Sequence, residues 1–234
     1  MNYFDTAIID FLNQFSRLSW TADNTIKFIE GSHLIKGAIL MAIFWWGWFK
    51  KSNQLYVRAH LVSTLFACFS AIILGRILAL FMPFRLRPLH DGSLYFILPH
   101  GVSPTILDGW SSFPSDHAVL FYTLATGMFF ISRKVGIFAL VFVTLFIMLP
   151  RVYLGLHYPT DIIGGAIIGI ILALLFNLTA FNERLSKPVV EWSCARPELF
   201  YPLLFLVTYQ IADMFDNTRM FLKYINSIIL PAIF

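Results

Sequence analysis

The sequence predicts an all-α fold: a polytopic membrane helical bundle of about six transmembrane helices, with an amphipathic helix in the interface at the N-terminus. Three observations lead there. The chain of 234 residues is 58% hydrophobic and only 13% charged, about half the charged fraction of a soluble globular domain, and its mean hydropathy is +0.73. Its apolar residues are gathered into runs close to the roughly 20 residues that a helix needs to cross a bilayer. Clusters of Lys and Arg recur between alternate runs, as the inner loops of a membrane protein require.

Taken in order, the first 32 residues form neither a span nor a secretory leader. Asp5, Asp10, Asp23 and Glu30 are incompatible with a positively charged leader and a clean apolar core. Phe4, Ile8, Phe11, Leu12 and Phe15 recur at helical spacing, which predicts a helix lying in the interface. Four full spans follow at about 34–49, 59–82, 135–150 and 161–181, and two shorter ones at about 118–132 and 198–215. The six Trp, nine Tyr and 25 Phe suit lipid contact and interfacial belts. Gly165-x-x-x-Gly169 predicts close helix packing. The tail after Asp216 is amphipathic. Cys68 in a span and Cys194 in an inner loop are not expected to form a disulfide. Without repeats or low-complexity tracts, the chain reads as one domain over 1–234.

The placement of charge is more informative than the net value of +4. Lys50, Lys51 and Arg58 follow the first span, Arg133 and Lys134 the span at 118–132, and Arg184 and Lys187 the span at 161–181. These loops share a side, and positive charge favours the cytoplasm. Arg85, Arg87 and Arg151 then fall on the outer side, against that rule, so the outer face is expected to be the working face.

Three segments carry chemistry. Arg85-Leu-Arg87-Pro88 lies just past a span that Pro83 interrupts. Its guanidinium groups suit phosphate oxygens, although interfacial arginines also anchor helix ends to lipid head groups. Arg76, further inside the span, is costly there and either snorkels toward the same face or pairs internally. Ser111-Ser112-Phe113-Pro114-Ser115-Asp116-His117 opens a helix. Ser115 suits plain capping, while the free N–H groups of a helix start also suit an anion, with His117 beside it. Arg151-x5-His157-x3-Asp161 places a cation, an imidazole and a carboxylate at a helix mouth. Pro159 holds Tyr158 out of the helix, and Asp161 is placed to accept an imidazole N–H and leave the other nitrogen free. An interfacial His–Asp pair beside an anchoring Arg is the plainer alternative.

Together, Arg87-Pro88, Pro114-Ser115-Asp116-His117 and Arg151-x5-His157-x3-Asp161 resemble the three-part signature of the type 2 phosphatidic-acid phosphatase superfamily, over roughly residues 60–180. The PSDH variant and the interfacial N-terminus are most similar to its bacterial undecaprenyl-diphosphatases. The resemblance implies phosphate ester or anhydride hydrolysis through a phosphohistidine, with neither metal nor cofactor. It makes His157 the nucleophile, Asp161 its orienting group and His117 the acid and then the base. Arg87, Arg151, Ser115 and the backbone N–H of Asp116 become the phosphate ligands, with Arg85 as an additional one. It implies a membrane lipid substrate, no nucleic-acid partner, and a bacterial inner-membrane location with the site facing the exterior. An isoprenoid diphosphate is the leading substrate; another lipid phosphate, transfer to a lipid acceptor, or a transporter are the alternatives. Three positions depart from the pattern: Leu80 stands where the family has Lys, Asp116 where it has Gly, and Pro150 where it has Ser.

Overall fold

The computed structural model describes residues 2–218, 220, 221 and 224; most of the expected amphipathic tail lies outside them. Helix α1 (Tyr3–Asn13) starts at Asn2, whose side chain accepts the Asp5 N–H at 2.7 Å. Helix α2 (Trp20–Gly31) is capped by Ser19. It is inclined by 59° to α3 (Leu34–Phe49), which opens on a π turn over Leu34–Ala38. Helix α4 (Gln54–Phe81) ends where Met82, preceding Pro83, takes an extended conformation with ψ 155°.

Helix α5 (Asp116–Gly127) runs on into a 3-10 turn, Met128–Phe130. Helix α6 (Arg133–Tyr153) is capped by Ser132 and contains a π turn over Val143–Met148. Helices α7 (Pro159–Phe176), α8 (Lys187–Ala195) and α9 (Pro197–Ala212) complete the described fold. Helices α7 and α9 each have proline in the first turn, where the missing N–H is not needed, while α8 runs on directly from the helical turns Thr179–Phe181 and Asn182–Ser186.

Helices α4, α6 and α7 are long and apolar enough to cross a membrane, and the bent pair α2–α3 adds a fourth candidate. The predicted runs at 118–132 and 198–215 do become helices, but α5 has 12 residues and α9 has 16. At about 1.5 Å per residue both fall short of a hydrocarbon core about 30 Å thick. Among the described residues the expected six spans are therefore not reached by length. For α5 the reason is burial: Ala118 to Phe121, Leu124 and Ala125 are all fully covered. A helix surrounded by protein need not match the bilayer.

Helix α5 packs most extensively on α7, and α4 packs on both. Small residues permit the approach. A methyl group added at Gly165 would sit 2.7 Å from the Ala118 side chain, and one at Gly169 would collide with the Val119 carbonyl. Thr123 Oγ1 donates to the Gly169 carbonyl at 3.1 Å. The glycine pair thus serves the packing role expected of it. Helix α1 turns Asp5, Ile9 and Asn13 inward and leaves Phe4 and Phe11 exposed, with Phe15 exposed in the turn that follows. The outward aromatics keep the amphipathic character predicted for this helix.

Candidate active site

At one end of the bundle α4 and α6 finish while α5 and α7 begin, and the segment 82–115 folds across them. The turn from α6 to α7 brings His157 into place. Gly155 adopts φ +71°, a conformation that L side chains rarely take. The Leu156 N–H closes the turn on the Arg151 carbonyl at 2.9 Å, and Leu89 N–H donates to the Gly155 carbonyl at 3.1 Å. A cleft of about 980 Å³ opens beside this turn. Arg76, Arg87, Asp116, His117, Arg151 and His157 line it, and the α2–α3 bend contributes Glu30 and Lys36. Its rim is apolar, with Leu80, Met82 and Phe84 exposed.

His157 is 3% exposed, and its Nδ1 lies 2.8 Å from the Ser112 carbonyl oxygen. A carbonyl only accepts, so Nδ1 carries the proton and the neutral ring keeps its lone pair on Nε2. Nε2 accepts a hydrogen bond from Arg87 Nη1 at 3.3 Å, on the side of the cleft. Asp161 was expected to take the imidazole N–H directly, but its Oδ2 is 3.8 Å from Nδ1, outside hydrogen-bond reach. That oxygen instead accepts the Ser112 hydroxyl at 2.5 Å and the Tyr158 N–H at 2.8 Å. Ser112 therefore links the two, its hydroxyl on the carboxylate and its carbonyl on the ring.

Arg87 is 6% exposed and clamps the loops together. It donates to the carbonyls of Trp110 (3.1 Å), Leu156 (2.6 Å) and Ser111 (3.2 Å). Burial and the nearby Arg151 charge lower it to about 10, which leaves it cationic at neutral pH. Arg151 Nη1 donates to Glu30 Oε1 at 2.5 Å, and its buried Nε has no partner among the described residues. Arg76 answers the unusual carboxylate: its Nη1 lies 3.4 Å from Asp116 Oδ2, and its guanidinium stacks 4.6 Å over the Trp110 ring. His117 stands in the first turn of α5 with its ring 6.1 Å from that of Phe121.

Two of the expected phosphate ligands are engaged elsewhere. Ser115 is fully buried and its hydroxyl accepts the Ala118 N–H at 3.4 Å, so it caps α5 and does not line the cleft. Arg85 is drawn behind the site by two buried carboxylates. It donates to Asp161 Oδ1 (2.5 Å), Asp5 Oδ2 (2.7 Å) and Thr160 Oγ1 (2.9 Å), and its guanidinium lies 4.1 Å from the Tyr158 ring centroid. Sequence reasoning missed Ser112, Asp5, Glu30 and Lys36. Lys36 alone carried a signal, a cation just inside an apolar span.

Burial is the main force on the His157 imidazole; with the Arg151 and Arg87 charges, and against the pull of Asp161, it takes the ring from 6.5 to about 4. Between those values an unfolded chain binds a proton that the folded one does not. The resulting stability is present in full above about pH 6.5 and is lost as pH falls toward 4. Thermal unfolding in detergent should therefore show a smaller loss between about pH 7 and pH 4.5 for His157→Gln than for the parent chain.

A neutral imidazole nitrogen facing a cationic cleft is suited to attack on phosphorus, and the apolar helices place that chemistry in a membrane. Fold and cleft together define an integral-membrane phosphatase. The profile of the PAP2 superfamily matches residues 60–185, more than half of the chain. The chain belongs to the PAP2 superfamily, whose members are phosphatases. It is 25% identical over 191 residues to undecaprenyl-diphosphatase BcrC of Bacillus subtilis, covering 82% of this chain and 89% of that protein. It is 27% identical over 95 residues to phosphatidylglycerophosphatase B of the same organism, covering 36% and 46%. Among solved structures, the PAP2-type phosphatidylglycerolphosphate phosphatase of B. subtilis shares the fold with a TM-score of 0.51 at 21% identity, over 77% of this chain and 85% of the other. Aquifex aeolicus LpxE does so with a TM-score of 0.50 at 22% identity, over 73% and 92%.

Proposed function

We propose that this lipid phosphatase hydrolyses an isoprenoid diphosphate of the undecaprenyl type to the monophosphate and inorganic phosphate, through a phosphohistidine. The observation that carries the chemistry is the orientation of His157: Nδ1 donates to a backbone carbonyl, and the Nε2 lone pair, met by Arg87 Nη1 at 3.3 Å, borders a cleft lined by guanidinium groups. Nε2 attacks the terminal phosphorus while the bond to the bridging oxygen breaks. His117 protonates that oxygen, and the lipid monophosphate leaves. His117 then removes a proton from water, which attacks the phosphohistidine and releases phosphate. Arg151 and Arg87 bind the non-bridging oxygens, together with the N–H of Asp116 at the start of α5. Asp161 stabilises the positive charge on the phosphorylated ring across 3.8 Å and holds Ser112 in place.

The substrate preference is supported by the named diphosphatase relative, which aligns in sequence with 82% of the chain against 36% for phosphatidylglycerophosphatase B. The orientation rests on charge. Lys50 lies 3.5 Å from the Ile131 carbonyl, so the loops bearing Lys50, Lys51, Arg133 and Lys134 meet at the far end of α4, α5 and α6 from the cleft. A cytoplasmic place for those cations puts the cleft on the exterior of a bacterial inner membrane. Phosphate release in detergent micelles from undecaprenyl diphosphate, phosphatidylglycerophosphate and phosphatidate tests the substrate. Faster release from the diphosphate is expected; equal rates on all three would remove the preference.

A further inference from the structure

The bend between α2 and α3 brings Glu30 and Lys36 into the cleft from outside the residues that match the family profile. Lys36 is 4% exposed although it is charged, and its Nζ lies 4.0 Å from Glu30 Oε1. The same oxygen accepts Arg151 Nη1 at 2.5 Å. Two buried cations thus share one carboxylate, and the nearer one takes most of its charge. Arg151 Nε is buried there without a partner among the described residues. Asp216, another carboxylate lining the cleft on this side, lies 3.8 Å from His33 Nε2. On the other side Arg76 is matched by Asp116 at 3.4 Å. Asp216 also acts electrostatically on Lys36 and Arg151, so these two buried cations face the cleft side by side with Glu30 and Asp216 as their counter-charges, and Leu80 stands where the family has lysine.

We propose that Lys36 is a specificity-determining residue. It forms a second anion subsite beside Arg151 for the phosphate of a diphosphate that is not transferred, and the Glu30 carboxylate occupies that subsite when no substrate is bound. This rests on the diphosphate reading above and extends it. A monophosphate headgroup fills only the position between His157, Arg87 and Arg151. A diphosphate also reaches Lys36, displaces the Glu30 carboxylate and gains a charge-assisted contact with a side chain that is only 4% exposed. Lys36 would thereby supply, from an earlier helix, a cation that the family motif places elsewhere.

Binding is the test, because it does not depend on turnover. The dissociation constants of methylenediphosphonate, which cannot be hydrolysed at its P–C–P bridge, and of inorganic phosphate would be measured by calorimetry on the full chain in detergent. The parent protein should prefer the diphosphonate. Lys36→Met should weaken the diphosphonate by about tenfold or more, the scale of losing a hydrogen bond to a charged group, and leave phosphate within about twofold. Glu30→Gln, which keeps the side-chain shape but not the competing charge, should tighten the diphosphonate severalfold, and it carries the test if Lys36→Met does not fold. Unchanged discrimination in Lys36→Met, or diphosphonate binding that is unchanged or weaker in Glu30→Gln, would overturn the proposal. Absence of phosphate release from any lipid diphosphate, with the Lys36 effect intact, would count against the diphosphatase reading alone.

Discussion

Replacing His157 with alanine is expected to reduce phosphate release by about 10⁴- to 10⁶-fold, the range seen when an enzyme loses a residue of its covalent machinery. The size of the effect follows from what no neighbour can replace. His117 also lines the cleft, but it belongs to the first turn of α5. The ring held at Nδ1 by the Ser112 carbonyl and at Nε2 by Arg87 belongs to His157 alone. The variant should remain folded, because a small cavity at the end of the bundle leaves the α4–α5–α7 packing intact. Quenching in alkali after brief exposure to substrate labelled at the terminal phosphate should recover label on the parent protein and none on His157→Ala. Undiminished turnover in the purified variant would end the nucleophile assignment.

Arg85→Met should be a large stability effect as well as a functional one. Asp5 and Asp161 are both fully buried, and Arg85 donates to each of them. Removing the shared cation leaves two fully buried carboxylates without their common partner, at a cost of about 3–5 kcal/mol. Methionine retains much of the apolar stem, so the loss reports charge more than volume. Thermal unfolding in detergent would show it. Asp5→Asn added to Arg85→Met should recover part of the stability, because the two changes act on one network. Additive losses in the double variant would separate Asp5 from that network. Activity should fall with stability, since Asp161 loses the partner that aims it at Ser112 and His157.

Much of this arrangement was legible in the sequence, and the rest was hidden for physical reasons. Long apolar runs disclosed α4, α6 and α7, because a membrane span leaves a signal in every residue it contains. The motif residues Arg87, Asp116, His117, Arg151 and His157 stand together in one cleft, and local spacing already put them at helix ends. Arg85 was misread because an arginine two residues from Arg87 in an extended segment looks equivalent to it. Only the tertiary fold reveals that Asp5, 80 positions away, draws it to the other side. The hydroxyl of Ser115 could serve an anion or its own helix, and the cap won. Ser112 acts on His157 through its backbone carbonyl, a group that every residue has and no sequence distinguishes. The run that forms α5 read as a short span because hydropathy records aversion to water, whether the shelter is lipid or protein.

The apolar rim at Leu80, Met82 and Phe84 bears on how a substrate arrives. These side chains continue the lipid-facing surface of α4 to the edge of the polar cleft, so a lipid can slide in sideways while its tail stays in the bilayer. Such a doorway meets every tail with the same kind of surface and cannot read its length or branching. Discrimination among membrane lipids is then left to the few polar groups that meet the headgroup. Two phosphatases of this design can differ in substrate by one cation in the cleft and nothing along the tail.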